Sequence, residues 1–349
     1  MGTWRLVLAW LVVANHTPGL KEISTNLEIG KVAVATFFFI SGFLMPLTYD
    51  SHYRGYGAAV GARKFYANRF LRIFPIYWLS LGLTLLAVFA YGPMLMEHAT
   101  SPGELHQVRT YASNLLLLGL NQTHLWHGDF RFNPPAWTLD VELQYYLLVP
   151  LIILMTNFSG RLGAAVLAMF GSIGLYLCFR PVGVLDVDRS LIEWSFFFFL
   201  GYGFYFSPAL QKVALRKALL GVLCLALILI ACVSRHQNVA ILTVTLACIV
   251  VSSYLLVLQQ NRAFGSWDRL LGDLSYPTYI THWLCIQLIF RWLGNTLDFP
   301  PKSKFFVLLA INVVGSTLVA YASMRIVGDP IEAFRRRIRD GRRPTVAPE

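Results

Sequence analysis

Apolar residues in this chain come in long runs separated by short polar connections, and the runs have the length of membrane-crossing helices. They predict spans near residues 3–18, 31–48, 73–91, 137–155, 162–179, 191–206, 218–234, 239–258, 276–293 and 304–326. In lipid every backbone polar group must be satisfied internally, so the expected fold is all-α: a polytopic integral membrane bundle of about ten transmembrane helices. An even number of spans puts both ends of the chain on one side. The connections on that side, with the tail "RRRIRDGRR", carry most of the Lys and Arg, and the positive-inside rule places both termini in the cytoplasm. The expected organisation is a single transmembrane domain over residues 1–330, followed by a basic cytoplasmic tail over 331–349. That tail is a basic amphipathic segment suited to anionic headgroups, or simply to anchoring the topology. The longest polar connection, residues 92–136, is broken by "NLLLLGL" and is expected to lie on the bundle or dip into it. It ends in "NPPAW", a helix start, because proline is tolerated before or within a first turn.

Composition agrees with a membrane chain. Of the 349 residues 56% are hydrophobic and 13% charged, with a mean hydropathy of +0.57, where soluble chains carry about 25% charged residues. The formal net charge of +11 raises nucleic acid as a partner. The cations, however, sit in short segments between apolar runs, where they orient helices, and no nucleic-acid role is expected. Cys178, Cys224, Cys232, Cys248 and Cys285 all fall within apolar runs, show no metal-ligand spacing and read as packing residues. The first run has the length of a secretory signal. It lacks a basic start beyond Arg5 and a small-residue cleavage site before His16, so it reads as a retained helix.

Candidate chemistry lies where ionisable residues interrupt the apolar runs, since such groups are costly in lipid and are functional candidates for that reason. Arg5 and His16 are eleven residues apart, about three turns plus 20°, so they share one helix face and stand roughly 16 Å apart along the axis. This layout suits a reaction whose charged donor stays on one side of the membrane while its acceptor comes from the other; snorkelling of both groups to opposite headgroup layers explains it equally well. In "FYANRFLRIFPIYW", Arg69 and Arg72 share a face at i, i+3 just before an apolar span, with Arg63 and Lys64 upstream and Pro75 fixing the start of the span. Guanidinium groups that close repel unless an anion sits between them, and their planar donors suit phosphate. A topology signal accounts for the positive charge alone. In "PPAWTLDVELQYYLLVP", Asp140 and Glu142 open a helix; Asp140 fits a helix-dipole role, whereas Glu142, placed near the depth of His16, is a candidate to orient its imidazole. In "LSYPTYITHW", Ser275, Tyr279 and His282 form a polar stripe that should face the bundle interior, where a histidine is more often a packing group than a catalyst. "FFFISGFL" places Ser41 and Gly42 where small residues permit close helix approach; no nucleophile elbow surrounds Ser41.

Together these segments resemble the acyltransferase-3 family of integral membrane acyltransferases, which modify hydroxyl groups on glycans and other extracytoplasmic acceptors. The resemblance runs from Arg5 to His282. R-x10-H is matched by Arg5 and His16; FFxxSGFL by Phe37, Phe38, Ser41, Gly42, Phe43 and Leu44; RxxRIxPxY by Arg69, Arg72, Ile73, Pro75 and Tyr77. WSLxVExxFYLxxP becomes "WTLDVELQYYLLVP", keeping Trp137, Glu142, Tyr146 and Pro150, and SYxxYLxHxP becomes "SYPTYITHWL". The chain departs from the family pattern at Ala35, where an acid is common, at Thr138 in place of serine and at Leu284 in place of proline. No fused soluble esterase-like domain is visible, so one transmembrane unit is expected to do everything.

The resemblance implies an O-acyltransferase of a bacterial cytoplasmic (inner) membrane. The implied donor is acyl-coenzyme A, most commonly acetyl-coenzyme A, with no metal, and the acceptor is a cell-surface glycan. Under that reading Arg69 and Arg72 hold the donor phosphates with Arg5 further in, His16 is the general base, and Glu142 holds its ring. Ser41, Trp137, Tyr279 and His282 line the substrate channel. Trp126, Phe130, Phe132 and Trp137 are candidates for a sugar-stacking platform. The competing expectation is a transporter or flippase for an anionic or glycan-linked lipid. That class predicts an inverted internal repeat, and the sequence shows none.

Overall fold

A computed structural model describes residues 1–20, 28–92, 108–117, 131–158, 160, 163, 170–173, 190–234, 237–261, 265–294 and 296–340. Among them there are helices and no strand: α1 (Gly2–His16), α2 (Ile29–His52), α3 (Ala58–Tyr91), α4 (Val108–Leu116), α5 (Trp137–Phe158), α6 (Leu191–Tyr205), α7 (Pro208–Ala214), α8 (Lys217–Val233), α9 (Gln237–Asn261), α10 (Ser266–Leu293), α11 (Pro301–Ser323) and α12 (Asp329–Asp340), with a five-residue π turn, Met324–Gly328, joining the last two. The expected all-α bundle is the fold. Among the described residues five helical segments are long and apolar enough to cross a membrane, or six if the bent pair α7 and α8 is one span. The remaining expected spans differ for identifiable reasons. The segment 162–179 falls almost entirely outside the described residues, and α10 carries the polar stripe that lowers its hydropathy.

Helix α1 is the informative exception. Its 15 residues give a length of about 22 Å, short of the roughly 30 Å hydrocarbon layer. It does not need that length, because it is enclosed by protein. Leu6, Leu8, Ala9, Val12 and Val13 are buried, and α1 packs against α2, α10 and α11. The Trp4 indole N–H donates to Ser252 Oγ of α9 at 2.9 Å and that of Trp10 to Thr317 Oγ1 of α11 at 3.1 Å. Its first turn is held by Asp268, eight residues ahead of the expected span 276–293, whose carboxylate accepts from the Gly2 and Thr3 N–H groups, both at 2.9 Å, and from Thr3 Oγ1 at 2.8 Å. Burial alone would raise the Asp268 pKa. The N–H groups of Thr3 and Gly2, the Met1 ammonium and the Thr3 hydroxyl outweigh it and hold the group well below the usual carboxylate range.

Helix α3, 34 residues, is about 51 Å long, well over the roughly 30 Å of a hydrocarbon layer. Pro75 lies inside it and does not start it; transmembrane helices tolerate an internal proline because neighbouring groups re-satisfy the freed backbone. Arg69 and Arg72 therefore belong to a continuous helix. The Ser41–Gly42 segment is a close helix contact, as its small residues suggest. A Cβ at Gly42 would collide with the Phe198 carbonyl of α6, and one at Gly201 of α6 with the Phe39 carbonyl of α2. Stacked rings of Phe38, Phe198 and Tyr145, with centroids 4.5 and 4.4 Å apart, then tie α2, α6 and α5 together.

Candidate active site

Helices α1, α2, α3, α5, α10 and α12 enclose a cavity of about 310 Å³. Arg5 of α1 and Arg69 and Arg72 of α3 line it, opposite Ser41 of α2, Glu142 of α5 and Tyr279 of α10; Arg335 and Glu332 reach it from α12. The walls carry four arginines against two glutamates. Glu142 is taken up by hydroxyls: it accepts from Ser41 Oγ at 2.7 Å and from the Tyr146 hydroxyl. Among the described residues none of Arg5, Arg69 and Arg72 forms an ion pair with a carboxylate. Arg69 is only 8% exposed. Its Nη2 donates to Asn68 Oδ1 at 3.3 Å, its Nη1 reaches only the Met45 sulfur at 3.7 Å, and its Nε has no acceptor. A buried guanidinium without a carboxylate partner is costly, and the excess of arginine gives this cavity the charge to accept an anion.

A pair of histidines lies beyond the cavity. Tyr279 lines the cavity, and its ring centroid is 5.9 Å from that of His282; neither His282 nor His16 lines the cavity itself. His282 Nε2 and His16 Nδ1 are 3.2 Å apart. The hydrogen-bond network fixes the protons. His282 Nδ1 faces the Tyr279 carbonyl oxygen at 2.5 Å and His16 Nδ1 faces that of Val12 at 3.0 Å. A carbonyl only accepts, so both Nδ1 atoms carry hydrogen. His282 Nε2 then holds a lone pair and shares the His16 Nδ1–H with Val12. His16 Nε2 is left without hydrogen, and among the described residues no group bonds to it. His282 is fully buried, whereas His16 is half-buried at the last residue of α1 with its ring edge-on to Trp283, centroids 5.5 Å apart. The arrangement presents one unprotonated imidazole nitrogen held in a fixed tautomer, as a general base requires.

The structure thus brings Arg5, Ser41, Arg69, Arg72, Glu142 and Tyr279 to one cavity, with His16 and His282 paired behind it. The expected support of His16 by Glu142 is not what is found. Glu142 stands in the second turn of α5, level with Ser41 and within electrostatic reach of Arg5 and Arg69, and the group beside His16 is His282. Trp137 does not line the cavity; it packs on Phe38 and Trp194, with centroids 6.5 and 5.5 Å away. Of the four aromatics considered for sugar stacking, Trp126 and Phe130 lie outside the described residues. Phe132 is 1% exposed and cannot meet a ligand from solvent.

Sequence reasoning missed Asn68, Glu332 and Arg335. The segment expected as a basic cytoplasmic tail from residue 331 onward starts within α12, which docks on α3. Its i, i+3 pair of Glu332 and Arg335 on one face, against exposed Arg336 and Arg337, was the available signal.

The model of a family described as an acyltransferase domain matches residues 3–324. The chain is 28% identical over 167 residues to Nodulation protein 10 of Rhizobium leguminosarum bv. viciae, a stretch covering 44% of this chain and 41% of that protein. It is 26% identical over 320 residues to Exopolysaccharide production protein ExoZ of Rhizobium meliloti (strain 1021), covering 88% of this chain and 90% of that one. No solved structure matches it.

Proposed function

The chain belongs to the acyltransferase-3 family of integral membrane enzymes, and from that premise we propose that it carries an acyl group, acetyl in the simplest case, from cytoplasmic acyl-coenzyme A to a hydroxyl of an extracytoplasmic glycan, in a bacterial cytoplasmic membrane. The likeness to an exopolysaccharide production protein over 88% of the chain supports a polysaccharide acceptor. The observation that carries the reading is the cluster of Arg5, Arg69 and Arg72, without an ion pair among the described residues, in a cavity also lined by Tyr279, whose helix brings His282 to His16 one turn on.

The arginines take the donor phosphates by bidentate donation, leaving the pantetheine arm to run toward Tyr279. His16 Nε2 removes the proton of the acceptor hydroxyl. The oxygen attacks the thioester carbonyl carbon, the carbon–sulfur bond breaks, and coenzyme A leaves as its thiolate, which recovers the proton from His16 directly or through water. His282 Nε2, still an acceptor, stabilises the imidazolium formed at His16 in between. Glu142 and Ser41 shape the wall opposite the arginines.

The test uses purified protein in proteoliposomes supplied with radiolabelled acetyl-coenzyme A and an exopolysaccharide fraction. Acylated glycan together with free coenzyme A is the expected product, with slow thioester hydrolysis when acceptor is withheld. Translocation of a labelled lipid with no consumption of donor would replace this reading by the transporter one.

A further inference from the structure

Helix α12 is not a loose basic anchor. Its side chains face two environments: Arg335 is 11% exposed, whereas Arg336, the next residue, is 65% exposed. The π turn Met324–Gly328 explains the register. Each extra residue in a helix rotates the segment after it by about 100°, so a wide turn at this point re-aims α12 relative to α11. Residues of α3 hold α12 in place, Lys64 Nζ donating to the Ile338 carbonyl at 3.2 Å and Asn68 Nδ2 to that of Arg335 at 3.5 Å.

Within the cavity, Arg335 pairs with Glu332 and donates from Nη2 to Asn68 Oδ1 at 3.0 Å. That same oxygen accepts from Arg69 at 3.3 Å. One neutral amide oxygen is therefore shared by two guanidinium groups, and the Nε atoms of both Arg69 and Arg335 are buried with no acceptor. Arg335, Glu332 and Arg72 also border a second cavity of about 80 Å³, adjoining the first beneath α12. Helix α3 serves as a ruler for depth. Arg335 sits at Asn68, whereas Ser80 Oγ donates to the carbonyl of Ile280, two residues before His282. Those twelve residues of α3 amount to about 18 Å.

We propose that Arg335 is a fourth donor-binding arginine, taking the phosphate of coenzyme A farthest from the thioester, the 3′-phosphomonoester of the ribose, and that Glu332 is its counter-ion while the site is empty. The proposal rests on the donor reading above and deepens it. Arg5 and Arg72 take the pyrophosphate, Arg69 stands beside Arg335 on the shared Asn68 oxygen, and Arg335 reads the only phosphate that 3′-dephospho-coenzyme A lacks.

Equilibrium binding of coenzyme A and of 3′-dephospho-coenzyme A to the full chain in lipid nanodiscs tests it. Arg335→Ala should weaken coenzyme A binding about tenfold or more and leave 3′-dephospho-coenzyme A binding unchanged, which also shows that the variant is folded. Arg335→Lys should recover part of the loss, and Arg337→Ala, at an exposed position of the same helix, should change neither ligand. Equal weakening of both ligands by Arg335→Ala, or no weakening of either, overturns the assignment while the donor reading stands. Failure of the unmodified protein to bind coenzyme A at all sinks both.

Discussion

The two ends of helix α1 meet opposite surroundings. Arg5 opens into a cavity with an excess of guanidinium groups, walls of mixed polarity and room for a ligand. His16, eleven residues on, is held against a fully buried neutral imidazole with its protons dictated by backbone carbonyls. One end is unsatisfied and waits for charge. The other is satisfied except at a single nitrogen. On the proposed function the difference separates binding from chemistry: electrostatic attraction would hold the donor at one end, and a preset tautomer would do the proton transfer at the other. Substitutions at the two ends should therefore fail in different ways.

The largest effect is expected at the histidine end. His16→Ala removes the base and should lower kcat by about 10²–10⁴-fold while the Kd for coenzyme A stays as it was; a rise in Kd of similar size would erase the contrast between the ends. At the other end, Arg69→Ala removes charge-assisted hydrogen bonds of about 1.5–3 kcal/mol, roughly tenfold to a hundredfold in donor Kd. Turnover at saturating donor should survive, and Arg69→Lys should restore little because lysine offers no planar fork. His282→Ala frees the His16 ring without removing it. Stopped-flow or steady-state kinetics should show a fall in kcat of about tenfold, less than the 10²–10⁴ attributed to the base itself, with donor KM unchanged and an altered pH profile. A purely structural role for His282 would move stability and leave the pH profile alone.

The smallest effect concerns the support of α1. The Asp268 carboxylate caps the first turn of that helix, and its pKa is lower in the folded state than in the unfolded chain. Its contribution is therefore fully present above the unfolded value of about 3.9 and is lost as pH falls through the folded value. Asp268→Asn should cost about 1 kcal/mol at neutral pH and flatten the acid limb of thermal stability in detergent. An unchanged acid limb would remove Asp268 as the titrating support.

Much of the cavity was legible from spacing alone. Arg69 and Arg72 at i, i+3, Ser275 and Tyr279 at i, i+4, and Arg5 on an apolar run each define a helix face, and an ionisable face in a membrane bundle turns inward. Relative depth was not legible. Whether Glu142 or His282 reaches His16 depends on how far each helix is pushed along its neighbour, and α1 ends at His16 well short of a full span. Composition also misdirected the reading of the tail, because a run of arginines looks the same whether it anchors a topology or supplies one inward-facing side chain. The docking of α12 on α3, which no local propensity announces, separates Arg335 from its exposed neighbours. Pro75 misled for a related reason: it marks a helix start in water, whereas here it sits within a long helix supported on several sides.

The shortness of α1 has a consequence for transport across the barrier. A helix of 15 residues walled by other helices makes protein, and not lipid, the insulator between the two aqueous phases at this one place, and it makes that insulator thin. On the proposed function the bulky, highly charged carrier would then stay on its own side, and only a small uncharged fragment would have to pass.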